Sequence, residues 1–563
     1  MIQLNKLNLL EALNKSCEAY ADNQFISFID QKGYTYAEFK KQVNEVAAYL
    51  KDQGVIHGDK IAILSENQPN WGVVYFAITT LGAIAVPIMT EFHESEVHHI
   101  LRHSESKAIF VSAKYFSKIE DFNSDGLQFR ILLDDFSAIP PDTSNDKLKE
   151  FIKEGKKELN KIKTAAFKFA GLISEDIKED DTALILYTSG TTGHSKGVML
   201  SHKNVISDVI ATLDFVDLQQ NDRMLSILPL FHTIESTLGF LTPFFGGASV
   251  YYIDKPPTAA ALLPALKKVQ PTVMLSVPLV IEKIYRMRIL PEINKKAITR
   301  GLYKIPMFRK KLNRIACKKL YKTFGGKLRM LCIGGAAIAE DVELFMREGG
   351  FPYAIGYGLT ETSPLVTGTV PAYTRFRSAG KCLVGMEIKI DNSITGTDEG
   401  EVLIKGPNVM KGYYKDPEKT KEVLSDDGWF RSGDLGTIDS DGYLFIKGRS
   451  KNVIIGANGK NIYPEEVESV INSCDFVLES LVLERESKLV AKVHLNYEEI
   501  DNTFQIQKMN ESDARKKINE LLQNIHTTVN SKISSFSRIH KVLEQSEQFE
   551  KTPTQKIKRY LYK

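Results

Sequence analysis

Residues 187–202 read Tyr-Thr-Ser-Gly-Thr-Thr-Gly-His-Ser-Lys-Gly-Val-Met-Leu-Ser-His. No other stretch constrains the fold of this chain as strongly. The preceding residues Thr182, Ala183, Leu184, Ile185, Leu186 and Tyr187 have the length and apolar content of a buried strand. The strand must then run into a turn that can hold an anion. Gly190 and Gly193 lack a Cβ and let backbone approach a ligand closely. Thr188, Ser189, Thr191 and Thr192 add hydroxyls, Lys196 adds a point charge for phosphate oxygens, and backbone amides in such a turn form an anion-binding concavity. A Walker loop would need glycine before the lysine and Ser or Thr after it. Ser195 and Gly197 occupy those places, so this is a polyphosphate cradle of another type.

The alternation around the cradle points to an α/β fold. Strand-like runs at 60–64, 83–89, 108–112 and 130–134 are separated by helical patterns such as 37–50 and 94–103, which predicts largely parallel sheets. Residues 136–180 turn charged and lysine-rich, as a surface excursion with a helix would. From about Gly380 short strands and turns predict a small β-subdomain. After Arg449, runs at 476–486 and 488–496 predict paired strands and 511–532 a helix, a small α+β domain. The expected boundaries are 1–450 and 451–563. With 563 residues, a net charge of +3 and 43% hydrophobic residues, the composition is that of a water-soluble globular protein. Five scattered cysteines without a CxxC pair argue against a zinc site or disulfide framework and favour a reducing compartment. Residues 1–20 read as an amphipathic helix, not a signal peptide. The longest apolar run, 238–253, is broken by Pro243, Gly246 and Gly247 and is too short to span a bilayer. The expected location is cytoplasmic.

Further polar clusters follow in order: Leu228-Pro-Leu-Phe-His232, Gly334-Gly-Ala-Ala-Ile338, Tyr357-Gly-Leu-Thr-Glu-Thr362, Trp429-Phe-Arg-Ser-Gly-Asp-Leu-Gly436, Gly448-Arg-Ser-Lys-Asn452, Gly459-Lys-Asn-Ile-Tyr-Pro464 and Lys551-Thr-Pro-Thr-Gln-Lys556. In this order and spacing, with the cradle, they resemble the adenylate-forming superfamily of acyl-CoA synthetases over nearly the whole chain. The bacterial long-chain fatty acyl-CoA synthetases are the best subgroup match. The resemblance implies a ligase that joins a fatty acid to AMP with release of pyrophosphate, then transfers the acyl group to coenzyme A. A medium-chain or aryl-CoA ligase and an acyl-AMP ligase loading a carrier protein are the alternatives. A non-catalytic fatty-acid binder fits less well, because the charged residues of the chemistry are all present.

The roles that follow are carried by the resemblance. Thr188, Ser189, Gly190, Thr191, Thr192, Gly193 and Lys196 would hold the β- and γ-phosphates of ATP. Glu361 with Thr188 would bind Mg²⁺, a hard cation that takes oxygen ligands. Gly335, Ala336, Gly356, Tyr357 and Gly358 would border the nucleotide, with Tyr357 stacked on adenine and Thr360 at the α-phosphate. Asp434 would accept the ribose hydroxyls, and Arg449 would contact ribose or phosphate. Lys556 would stabilise the charge that develops when a carboxylate attacks phosphorus. Composition alone would make the tail around it a frayed charged terminus. His232 would border the acyl pocket. Lys451 would be the hinge on which a mobile C-terminal domain turns, bringing either Lys556 to ATP or the Gly459 loop to coenzyme A. Two departures stand out: Ser195 replaces the usual proline before the lysine, and Asn452 replaces the acidic residue after the hinge, which puts a salt bridge there in doubt.

Two weaker signals remain. His99 and His103 lie one helical turn apart, but a helix packed on the sheet with exposed histidines is the expected reading, since a metal site needs further ligands. From Lys283 to Lys327 the chain carries about fifteen basic residues and only Glu292 as acid. A solvated helical face and a patch that docks on the inner face of an anionic membrane are both open. Without an aromatic stacking platform, nucleic acid is not an expected partner. The sequence leaves the oligomeric state open, with a homodimer as one possibility.

Overall fold

The computed structural model describes residues 2–124, 126–141, 143–153, 176–188, 195–393, 398–455, 461–486, 488–552 and 556–562. The expected site residues Ser189, Gly190, Thr191, Thr192, Gly193 and Gly459 lie outside the described residues.

The helix Leu9–Ala19 starts at Asn8, whose side chain accepts from the Glu11 amide. It buries Leu9, Ala12, Leu13, Ser16 and Cys17, the i, i+3, i+4, i+7, i+8 spacing of a helix lying on a core. A capping box of Thr35 and Glu38 opens the next helix, Tyr36–Asp52. Lys60–Leu64, Ile84–Pro87, Ser106–Val111 and Phe129–Leu132 then form a parallel sheet, with Thr182–Thr188 added parallel to Ile84–Pro87. Its strands are buried almost throughout, as helix-covered parallel strands must be.

A second sheet has a parallel half: Gln24–Phe28, Ser249–Tyr252, Arg223–Ser226, Val273–Ser276, Met330–Ile333 and Tyr353–Gly358. From Leu365–Gly368 onward it continues as antiparallel strands, and the short-strand segment after Gly380 is that extension. Strand alternation divides its side chains between two cores. Leu225, Met274 and Leu331 face the helices that include Ala259–Val269, Pro306–Thr323 and Glu340–Gly349. Met224, Val273, Leu275 and Met330 face the opposite core. The apolar run at 238–253 ends one helical segment, Ile234–Leu241, and supplies the buried strand Ser249–Tyr252. Among the described residues, no helix is long and apolar enough to cross a membrane.

The C-terminal part has a core of its own, including Val467, Ile471, Val482, Val493, Leu522, Val529 and Val542. Val477–Arg485 and Lys488–Leu495 pair antiparallel, Lys541–Glu544 joins parallel, and the helix Glu511–Lys532 packs across them.

Candidate active site

Thr188 and Lys196 end the paired strands Thr182–Thr188 and Lys196–Ser201 and stand opposite each other in register. The same strand pairs on its other edge with Gly412–Tyr413. That pairing sets the Tyr413 ring 5.2 Å beneath the Lys196 ammonium. The Tyr413 hydroxyl donates to Glu361 Oε1 at 2.9 Å. Burial holds the Lys196 pKa below its ordinary value, helped by Lys419 and Lys451, while Asp416 and Glu361 oppose the shift. Lys196 and Glu361 are therefore neighbours, with Tyr413 between them.

Glu361 sits in a single 3₁₀ turn, Thr360–Thr362. Buried Asn408 braces the turn, donating to the carbonyls of Thr362 (2.7 Å) and Leu365 (2.9 Å) while its own carbonyl accepts from Ser363. Gly358, just before the turn, is required by close approach: a Cβ there would lie 1.7 Å from the Pro364 carbonyl. Gly335 has φ +84°, a conformation side-chain-bearing residues rarely adopt.

Asp434 and Arg449 face each other on the adjacent strands Phe430–Ile438 and Tyr443–Arg449. Arg449 Nε lies 2.8 Å from Asp434 Oδ1, and the Tyr357 hydroxyl donates to Oδ2 at 2.8 Å. Burial raises the Asp434 pKa, while Arg449, Tyr357 and Lys556 pull it down. Each Asp434 oxygen already has one partner and keeps a second lone pair. Tyr357 is thus tied to the carboxylate as well as to the pocket beneath it.

Lys556 arrives at this point from the far end of the chain. Lost hydration and Arg449 lower its pKa, while Asp434 and Glu361 raise it. The residue nevertheless keeps solvent access and lies within electrostatic reach of the carboxylates of Asp434 and Glu361. His232 is half-buried. Its lost hydration and the nearby Lys556 charge bring the imidazole down to about 4, which keeps it neutral.

The tail is anchored instead of frayed. Thr552 N–H donates to the Lys556 carbonyl at 2.7 Å. Lys551 pairs with Glu479, and Arg559 pairs with Glu468 at 2.5 Å. Phe549, Ile557 and Tyr562 pack on Leu481 and Leu483. Lys451, expected as the hinge, lies exposed in a short 3₁₀ turn directly after Arg449. Its neighbour Asn452 donates to Glu465 Oε1 at 2.6 Å, so an amide–carboxylate hydrogen bond stands where a salt bridge was in doubt.

Beneath Tyr357, an apolar pocket of about 80 Å³ runs between the second sheet and the segment Ile234–Leu241. Gly335, Gly356, Tyr357 and Gly358 lie at one end, and Phe215, Leu218, Met224 and Met330 also line it. Ala336 is exposed beside Gly335 and is not among the lining residues. Ile234–Leu241 is a π-helix, a form frequent at functional sites. It carries Glu235, fully buried and accepting from the Ser226 hydroxyl at 2.5 Å, with Oε2 unpartnered. Burial raises this carboxyl to about 8.

The histidines of Glu94–Ser104 are not exposed, as the sequence suggested. His98 contacts the Lys118 carbonyl at 3.1 Å and His103 the Tyr187 hydroxyl at 2.8 Å. Among the described residues, no group of three His, Cys, Asp or Glu could hold a metal alone. Sequence reasoning passed over Tyr413, Asn408 and Glu235. Only Glu235 left a signal, as the one acid in the apolar run 228–241.

A family model for AMP-binding enzymes matches residues 13–414. The chain belongs to the AMP-binding enzyme family. It is an adenylate-forming acid ligase, of the AMP-forming acid–CoA ligase kind. A chloroplastic long-chain-fatty-acid–acyl-carrier-protein ligase of Arabidopsis thaliana is 30% identical over 77% of this chain and 68% of its own length. A long-chain-fatty-acid–CoA ligase of Mycobacterium bovis is 28% identical over 80% of this chain and 75% of its own. The fold matches that of the anthranilate CoA ligase solved with anthranoyl-AMP, with a TM-score of 0.78 at 22% identity, covering 98% of this chain and 96% of that one.

Proposed function

We propose that this chain converts a long-chain fatty acid, ATP and coenzyme A into acyl-CoA, AMP and pyrophosphate through an acyl-adenylate. One observation carries the reading: the cations Lys196, Arg449 and Lys556 gather with Glu361 and Asp434, and Tyr357 joins that cluster to an apolar pocket. A carboxylate and ATP are both anions, so their reaction needs fixed positive charge around the phosphates. In this reading Lys196 meets the departing pyrophosphate and Lys556 the α-phosphate, while the free lone pairs of Asp434 accept from the ribose. Glu361 and Thr188 offer one carboxylate and one hydroxyl. That small oxygen set suits Mg²⁺, which commonly binds through one or two carboxylates plus substrate phosphates. The ion would neutralise phosphate charge. The neutral His232 beside Lys556 adds no charge to the path of the acid.

The names of the two curated relatives support a long acyl chain. A long chain would also bury more apolar surface, each CH₂ contributing about 0.8 kcal/mol. A ligase for aryl or medium-chain acids is the second reading, and the apolar lining of the pocket, which includes Phe215, suits either class of acid. We further propose that residues 451–563 turn about Lys451 after adenylation, withdrawing Lys556 so that coenzyme A can enter.

Pyrophosphate release across saturated acids of increasing length and across aryl acids tests the acid. Carrier protein in place of coenzyme A tests the acceptor. Greatest kcat/KM with long chains, dependent on coenzyme A, is expected, and Phe215→Ala should extend the preferred length. Turnover confined to aryl acids would overturn the reading.

A further inference from the structure

The most unusual surface lies away from this site, on the helices between Ala297 and Thr323. Large apolar side chains are exposed there: Ile298 at 78%, Met307 at 71%, Ile315 at 51% and Ile305 at 47%. Soluble surfaces scatter such residues singly. Here they cluster within Ala297–Tyr303, Pro306–Thr323 and their connection.

The helix Pro306–Thr323 explains the arrangement. Asn313, Cys317 and Leu320 turn inward against the core that also holds Met346 and Phe345. Arg309 and Asn313 fasten it to Glu348 at 2.8 and 2.7 Å. The opposite stripe carries Met307, Lys311, Arg314, Ile315, Lys318 and Lys322, all exposed. Their spacing is i, i+4, i+7, i+8, i+11 and i+15, one face of an α-helix. Lys296, Arg300 and Lys304 continue the positive charge at the exposed Ile298 and Ile305. Arg286 and Arg309 are in ion pairs. The basic residues of the stripe are in no ion pair among the described residues, so their charge is available to a partner.

We propose that this face docks the enzyme on an anionic lipid bilayer, with Met307 and Ile315 entering the headgroup boundary while the lysines meet lipid phosphates. Interleaved apolar and cationic residues along one helix stripe fit a surface that is itself apolar beneath an anionic skin. A soluble acidic partner would use the charges and leave exposed side chains such as Ile298 and Met307 unexplained. The proposal rests on this surface alone and holds for any acid the enzyme activates.

Sedimentation of the full chain with vesicles tests it. One set is phosphatidylcholine, the other an equimolar mixture with phosphatidylglycerol. Binding should occur with the anionic set, weaken as salt rises, and be absent with the neutral set. Lys311→Glu with Lys318→Glu should lower partitioning by about tenfold or more. Met307→Ser with Ile315→Ser should lower it several-fold even at low salt. Both pairs are exposed and belong to none of the active-site contacts described above, so unchanged melting temperature and pyrophosphate release report that the fold is intact. Absence of vesicle binding, binding that ignores lipid charge, or binding unaltered in both variants would overturn the proposal. So would capture of an acidic carrier protein or RNA on this stripe without capture of vesicles.

Discussion

Replacing Arg559 with methionine should slow acyl-adenylate formation without touching substrate. Arg559 reaches Glu468 Oε2 at 2.5 Å and the Val482 carbonyl at 3.2 Å, and Glu468 Oε1 accepts the Val482 amide at 2.7 Å. The guanidinium thus ties the chain after Lys556 to the strand Val477–Arg485, as Lys551 and Glu479 tie the chain before it. Leaving one member of a fully charged buried pair alone typically costs 3–5 kcal/mol. Here the cost is smaller, because burial already raises Glu468 to about 7 and the orphaned acid can take a proton. With the contacts of Phe549, Ile557 and Tyr562 on Leu481 and Leu483 still in place, we expect about 1–2 kcal/mol of lost anchoring. ATP–pyrophosphate exchange should then fall about five- to thirtyfold, toward the loss on the order of 10² expected for Lys556→Ala. Thioester formation from supplied acyl-adenylate should stay within about twofold of wild type. The defect should deepen as pH rises. Glu468 has a folded pKa above its ordinary value, so its contribution is complete at low pH and lost as pH rises through about 7; without Arg559 the ionised acid has less support. If Arg559 acts only by placing Lys556, the double variant exchanges no slower than Lys556→Ala. Additive losses, or equal slowing of both half-reactions, would refute the reasoning.

Lys451→Pro should spare pyrophosphate exchange and impair transfer to coenzyme A, because proline fixes φ at the proposed pivot; separate half-reaction rates check it, and equal loss of both removes the pivot from Lys451. Tyr413→Phe keeps the ring beneath Lys196 but removes the donor to Glu361. A hydrogen bond to a charged group contributes about 1.5–3 kcal/mol, so kcat/KM for ATP should fall by at least about tenfold, and an unchanged value would show the hydroxyl to be dispensable. Glu235→Gln should flatten the pH dependence of stability. The carboxyl has a folded pKa of about 8, so its contribution is full below its ordinary range and disappears as pH rises through 8. Between pH 6 and 10 the melting temperature should fall less steeply for the variant than for wild type, the difference opening around pH 8.

Much of the local structure was legible before any coordinates. The run 60–64 is the strand Lys60–Leu64 and the pattern 511–532 is the helix Glu511–Lys532, because burial on both faces or on one stripe leaves a periodic trace. Other features leave none. The histidines of Glu94–Ser104 read as exposed, yet His98 and His103 are held by groups 20 and 84 positions away. Tyr413 gave no signal because its place beneath Lys196 comes from one edge-strand pairing. Asn408 likewise acts through contacts with a turn 43 to 46 positions upstream and with Asp208, 200 positions upstream.

By itself the sequence determined the family and the chemical types gathered for the reaction. Glycines, hydroxyls, carboxylates and lysines in a fixed order are a local, one-dimensional record. The tertiary structure decided which of them meet. Lys196 and Lys556 stand 360 positions apart, and the fold brings both within electrostatic reach of Glu361. It also decided that the charged tail is pinned, and that an apolar pocket lies beneath Tyr357. These depend on sheet register and on packing between segments remote in sequence, and no short window of residues encodes either.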